Sequence, residues 1–127
     1  QENTVKILAM FISLMLLICC PFISQSHAAV HQVSVSGLSL SPQTATINAG
    51  DTVTWIGLSF FHSSTSGANC QPDGIWNSGR SVDTFSKIFN DPGTYPYYCI
   101  PHCSFGMTGT VIVNAVSDTT APTVTGF

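Results

Sequence analysis

An antiparallel all-β sandwich is the fold this sequence predicts from residue 29 onward, and three observations carry it. No stretch after Ala29 repeats its apolar residues at the helical period over a useful length. Short runs instead alternate apolar or β-branched residues with polar ones, as half-buried strands do. Gly, Pro, Asn and Asp separate these runs with no room for helices between them, which favours a sandwich over an α/β fold.

Taken in order, Val30 to Ser36 alternates Val33 and Val35 with polar neighbours, and Leu38 and Leu40 continue the pattern until Pro42 interrupts it. Thr44 to Asn48 is a second short run with Ala45 and Ile47 on one face. Ala49-Gly50-Asp51 reads as a turn, and Thr52 to Ile56 follows as a strand with Val53 and Trp55 on the same face. Gly57 to Gly79 is long, polar and glycine-rich, and reads as a functional or stapled loop. Ser81 to Phe89 is a strand or an irregular edge, and Asn90-Asp91-Pro92-Gly93 is a strong turn signal. Thr94 to Cys99 and Gly109 to Asn114 are the last two strands. Pro96 has no hydrogen for a ladder, so its strand must lie locally at an edge or bulge there.

Residues 1–28 read as an export leader. Lys6 gives a thin positive start, partly offset by Glu2, and Ile7 to Cys20 is an apolar run of 14 residues broken only by Ser13. Pro21 ends the run, and Ser26-His27-Ala28 puts small residues at the two positions a signal peptidase reads. The run is short for a membrane span. An uncleaved anchor is the rival reading, and so is lipidation at Cys19 or Cys20, against which the bulk of Ile18 or Cys19 counts. Without the leader about 100 residues remain, enough for one small sandwich with its own core. Residues 29–115 form that domain, and the Thr/Pro-rich residues 116–127 read as a linker or the start of a further domain.

Only 7% of the residues are charged and the formal net charge is −3. There is no basic patch, which excludes a nucleic-acid surface. The chemistry lies elsewhere, in Cys99, His102 and Met107, spaced Cys-x2-His-x4-Met between two strands. Pro101 stiffens that loop, and Gly106 and Gly109 allow the turns that bring Met107 back. A thiolate, an imidazole and a thioether suit copper better than any hard cation. His62 follows the strand that ends near Ile56 and can reach the same pole of a sandwich, completing a His2Cys set with a weak Met. After residue 28 the chain has no other methionine, and its cysteines are Cys70, Cys99 and Cys103. If Cys99 binds metal, Cys70 and Cys103 remain as an even pair, expected to oxidise together outside the cytoplasm. Two rivals stay open on the residues alone. Cys70, Cys99, Cys103 and His102 could make a zinc site, although that leaves Met107 unexplained. Cys99 with His102 could be a nucleophile and base, although no third orienting group is evident.

Thr44-to-Trp55 (TATINAGDTVTW), then His62, then DPGTYPYYCIPHCSFGMTGTVIV together resemble the plastocyanin branch of the cupredoxins, the small blue copper proteins. The resemblance covers roughly residues 30–115. It implies a Greek-key sandwich with one type 1 copper ion at a pole, held by His62, Cys99 and His102 with Met107 as the long axial ligand. It implies a bacterial, exported, monomeric carrier of single electrons, periplasmic or extracellular, that meets protein redox partners transiently and is not an enzyme. A copper-binding or structural module of a larger surface or redox protein is the alternative. Nothing resembles the His-x-His pairs of a multicopper enzyme. Two departures stand out. Ser63 replaces the Asn or Thr that often follows the first histidine, and Gly57 to Phe61 lacks the usual Asn-rich segment. Cys103, directly after His102, is similar to the plant phytocyanins, where a cysteine beside that histidine forms a disulfide; this implies a Cys70–Cys103 bond.

Overall fold

A computed structural model describes residues 27–117. The leader, except His27 and Ala28, and the tail from residue 118 fall outside the described residues. The strands are β1 (Val30–Ser36), β2 (Ser39–Ser41), β3 (Thr44–Asn48), β4 (Thr52–Ile56), β5 (Thr65–Ala68), β6 (Gln71–Asn77), β7 (Thr84–Ile88), β8 (Gly93–Tyr98) and β9 (Thr108–Asn114). They form two sheets, ordered β2-β1-β4-β7 and β3-β9-β8-β5-β6. This is the expected cupredoxin β-sandwich, with one difference in pairing. The hairpins are antiparallel, but β1 runs parallel to β4 and β3 parallel to β9, so both sheets are mixed. The chain passes from one sheet to the other between β2 and β3, so neighbours in sequence are not always neighbours in a sheet. No helix among the described residues is long and apolar enough to cross a membrane.

Alternation does what the period of two requires. Val33, Val53 and Trp55 from one sheet meet Ala45, Ile47, Val111 and Val113 from the other in a continuous core. Trp55 is fully buried at its centre, with ring centroids 5.3 Å from Tyr97 and 5.8 Å from both Trp76 and Phe85. Aromatic contacts at such distances add about 0.5–1.5 kcal/mol each beyond their buried area. Burial pushes the pKa of the Tyr97 hydroxyl up, offset in part by the neighbouring Trp55 indole. Gly109 makes room for that ring, since a Cβ there would lie 2.4 Å from Tyr97 Cζ. Tyr97 is wedged among aromatic rings and cannot retreat. Gly109→Ala is therefore expected to cost about 1–3 kcal/mol, measurable by urea unfolding with the slope unchanged.

Two local readings change. Leu38 does not extend the first strand, because the chain reverses at Gly37 (φ +55°) and β2 pairs back on β1. The stretch Gly57 to Gly79 is not one open loop. It holds a 3-10 turn over Ser59–Phe61 and then the β5–β6 hairpin. Pro96 behaves as its chemistry demands: the β5–β8 ladder stops at Ser66↔Tyr97, one position before Pro96 would have to donate.

Asp51 ties the far pole together. Its Oδ1 accepts the Ala29 amide at 2.8 Å and its Oδ2 the Asn48 amide at 3.0 Å, with His31 Nε2 at 2.9 Å from Oδ2. Those two amides, helped by His31 and opposed by burial, hold its carboxyl below the usual range.

Candidate metal centre

The opposite pole carries the candidate ligands, and each strand end explains why they meet. β8 delivers Cys99 at its end, fully buried. A 3-10 turn, Ile100–Phe105, follows with Pro101 near its start; it carries His102 and Cys103 and is ended by Gly106 at φ +83°. That left-handed φ suits glycine, and it returns the chain to β9 through Met107. The Cys99 amide donates to the Met107 carbonyl at 3.0 Å and the Met107 amide to the His102 carbonyl at 3.2 Å. The loop is thus closed by its own backbone, with Met107 buried in the core cluster.

His62 arrives from the other sheet. β4 ends at Ile56, Leu58 is fully buried, and the 3-10 turn Ser59–Phe61 is closed by the His62 amide donating to the Leu58 carbonyl at 3.0 Å. Cys99 Sγ lies 3.7 Å from His62 Nδ1 and 3.5 Å from His102 Nδ1. The donor atoms of His62, Cys99 and His102 all fall within 4.8 Å of one another. A metal about 2.0 Å from each nitrogen and 2.3 Å from sulfur, at trigonal angles, separates N from S by about 3.7 Å. The two N–S spacings therefore match one ion shared by both rings and the thiol. Burial, and then the neighbouring His102, push the pKa of His62 down, which keeps its ring neutral and ready to ligate.

Around the sulfur, Ser63 makes two contacts. Its amide points at Cys99 Sγ at 3.4 Å, and its hydroxyl accepts the Ile100 amide at 2.8 Å. Ser63 therefore joins the His62 loop to the Cys99 loop, although it stands where an Asn or Thr is more usual. The sequence shows Ser63 as a departure but not its reach. Further out, Thr65 Oγ1 lies 3.4 Å from Ser63 Oγ and donates to Asn77 Oδ1 at 3.2 Å. Nothing in the local pattern marks those two. Ser63→Ala leaves the Ile100 amide without its acceptor and is expected to cost about 1 kcal/mol, read by denaturant titration. The same change should shift the visible spectrum of the copper-loaded protein while the Ser63 amide contact keeps the band present.

Cys70 and Cys103 form a disulfide with Cα atoms 5.8 Å apart, and Cys99 is the free cysteine among the described residues. This removes the zinc reading, because two of its four ligands are bonded to each other. It leaves one thiol, two imidazoles and a buried thioether loop, the soft set that favours copper.

The comparisons agree with that chemistry. Residues 27–114 match the sequence model of copper binding proteins of the plastocyanin/azurin family. A plastocyanin from Scenedesmus fuscus is 36% identical over an 88-position alignment that covers 60% of this chain and 87% of that protein. A chloroplastic plastocyanin from Tetradesmus obliquus is 35% identical over an 85-position alignment that covers 60% of this chain and 59% of that protein. Among solved structures, a purple cupredoxin from Nitrosopumilus maritimus superposes with a TM-score of 0.57 at 27% identity, over 66% of this chain and 99% of that one. With the sandwich, the His-Cys-His cluster and the family match in agreement, the chain belongs to the plastocyanin/azurin family of copper-binding proteins.

Proposed function

We propose that the protein carries single electrons between redox partners outside the cytoplasm, on one copper ion held by His62, Cys99 and His102 with Met107 as the weak axial ligand. The observation that carries this reading is the placement of two imidazole nitrogens 3.5 and 3.7 Å from one buried thiol. Copper supplies the cycle between Cu(I) and Cu(II). The residues supply everything else. Two strands from different sheets fix the ligand positions, and the closed loop from Cys99 to Met107 resists movement when the charge changes. The Ser63 amide facing the sulfur and the apolar core beneath it are the levers on potential.

The same reading takes residues 1–28 as a cleaved leader, 29–115 as a monomeric domain in the periplasm or outside the cell, and 116–127 as a linker. A partner docks at the His102 edge. Phe61, Ile100 and Phe105 are exposed there, at 70%, 43% and 71%. Residues 57–71 and 96–115 hold no Asp, Glu, Lys or Arg. The docking face is thus apolar and uncharged, the kind suited to a small, short-lived interface. Stopped-flow mixing of the copper protein with a soluble c-type cytochrome is the test. Transfer is expected, with a rate changing less than about threefold between low and physiological salt, because steered association falls far more steeply. Copper binding without any electron exchange would favour a structural or storage module instead.

A further inference from the structure

The pole away from the candidate metal centre holds a buried carboxylate, Asp51, against the backbone of Ala29. Asp51 is 4% exposed, whereas Asp73, Asp83 and Asp91 are exposed. Its Oδ2 is already engaged by the Asn48 amide and His31 Nε2. Its Oδ1 faces one group, the backbone nitrogen of Ala29 at 2.8 Å. The Ala29 carbonyl in turn accepts the Thr52 amide at 2.9 Å, so both backbone groups of Ala29 are fixed beside Asp51. His31 is the only ion-pair partner of this carboxylate among the described residues, and that imidazole is a cation only when protonated. Neutral amides already hold this buried carboxylate in its charged form, and a cation in place of the Ala29 amide would add an opposite charge to a bond whose geometry is set.

The cleavage position read from Ser26-His27-Ala28 puts the first residue of the processed chain at that nitrogen. We propose that a signal peptidase cuts between Ala28 and Ala29 and that the Asp51 carboxylate binds the new α-ammonium of Ala29, fastening β1 to β4 in the processed chain. The step balances with water alone. The Ala28–Ala29 C–N bond breaks, the water oxygen joins Ala28 as a carboxylate, and the Ala29 nitrogen leaves as an amine that is protonated at neutral pH. That nitrogen stays where it is. It exchanges one neutral N–H for a charged group with three, and charge-assisted hydrogen bonds are roughly twice as strong as neutral ones. The inference is independent of what the copper site does.

After that cut, residues 29–127 carry two amines, this one and Lys87, which makes the test direct. The whole chain is expressed with its own leader, and the exported, copper-loaded protein is weighed intact and then treated with limiting acetic anhydride near neutral pH. A free α-amine, with an ordinary pKa of about 7.7–8.0, labels ahead of a lysine at about 10.4. The expected result is a mass beginning at Ala29 and an α-amine labelled at least about tenfold more slowly than in Asp51→Asn, equivalent to a rise of one pKa unit. Ala29 itself is exposed, so shielding alone does not slow the reagent. If Asp51→Asn does not fold, wild-type protein in concentrated urea is the reference, and unfolding should restore fast labelling. A mass beginning at any other residue overturns the proposal. So does an α-amine that labels as fast in the folded protein as in urea, or one equally slow in folded Asp51→Asn.

Discussion

Cys99→Ser is expected to abolish the intense visible thiolate-to-copper absorption completely while leaving the domain folded. Cys99 is the free cysteine among the described residues, since Cys70 and Cys103 are bonded to each other. Among the described residues no second thiolate is at hand to replace it. Copper deprotonates a coordinating thiol outright, and it is the thiolate that mixes with the metal to give colour and electronic coupling. A serine hydroxyl is nearly the same size and can still accept the Ser63 amide that now points at the sulfur. The apoprotein should therefore stay within about 2 kcal/mol of wild type, the range for exchanging one small buried polar group for another. Visible absorption after Cu(II) addition and far-UV circular dichroism together decide the matter. A persistent blue band in a folded Cys99→Ser domain would show that the colour arises at some other site.

One half of the centre was legible in the sequence. Cys99, His102 and Met107 are local. A strand end, a proline and a left-handed glycine fix them within one loop, and all of these are visible as letters. His62 depends on topology. It meets Cys99 only because β4 and β8, in opposite sheets, end at one pole, and no local pattern states that. The parallel pairs β1 with β4 and β3 with β9 stayed hidden for a related reason. Alternation assigns a face to each residue but says nothing about which strand lies alongside.

The β5–β6 hairpin was missed because β5 and the two residues before it bury hydroxyls and a glycine in place of apolar side chains. Ser63, Ser64, Thr65 and Ser66 are all at most 1% exposed, so a search for apolar alternation passes over them. Hydrogen bonds make that burial tolerable. The Trp76 indole donates to Ser64 Oγ at 2.9 Å, the Trp76 amide to Ser66 Oγ at 2.8 Å, and Ser66 also bonds Asp73. The reversal was obscured too. Ala68↔Gln71 encloses Asn69 and Cys70, at φ +54° and +59°, which is the type I′ pattern. Asn-Gly is the familiar signal for that turn, and a cysteine stands in the glycine's place.

That cysteine supports the second large effect. Replacing the disulfide in a Cys70→Ser/Cys103→Ser variant is expected to cost about 3.5 kcal/mol, from loop-closure entropy at the observed separation of 33 residues. The melting temperature should fall by roughly 15–25 °C for a domain of this size. The loss should not spread evenly. β6 is an edge strand paired only with β5, and β5 holds to β8 through just Thr65↔Tyr98 and Ser66↔Tyr97. The bridge from the hairpin tip to Cys103, next to His102, is what anchors this flap beside the metal site. Amide exchange in β5 and β6 should therefore accelerate well before exchange in β4 or β9. A second variant separates the bridge from the backbone around it. At φ +59°, any residue but glycine at position 70 carries a conformational penalty of about 1 kcal/mol or more. Cys70→Gly/Cys103→Ser should recover about that much relative to the double serine. Equal stability of the two variants would mean that the turn relaxes once the bridge is gone, and that the left-handed conformation at Cys70 is imposed by Cys103 rather than by the hairpin.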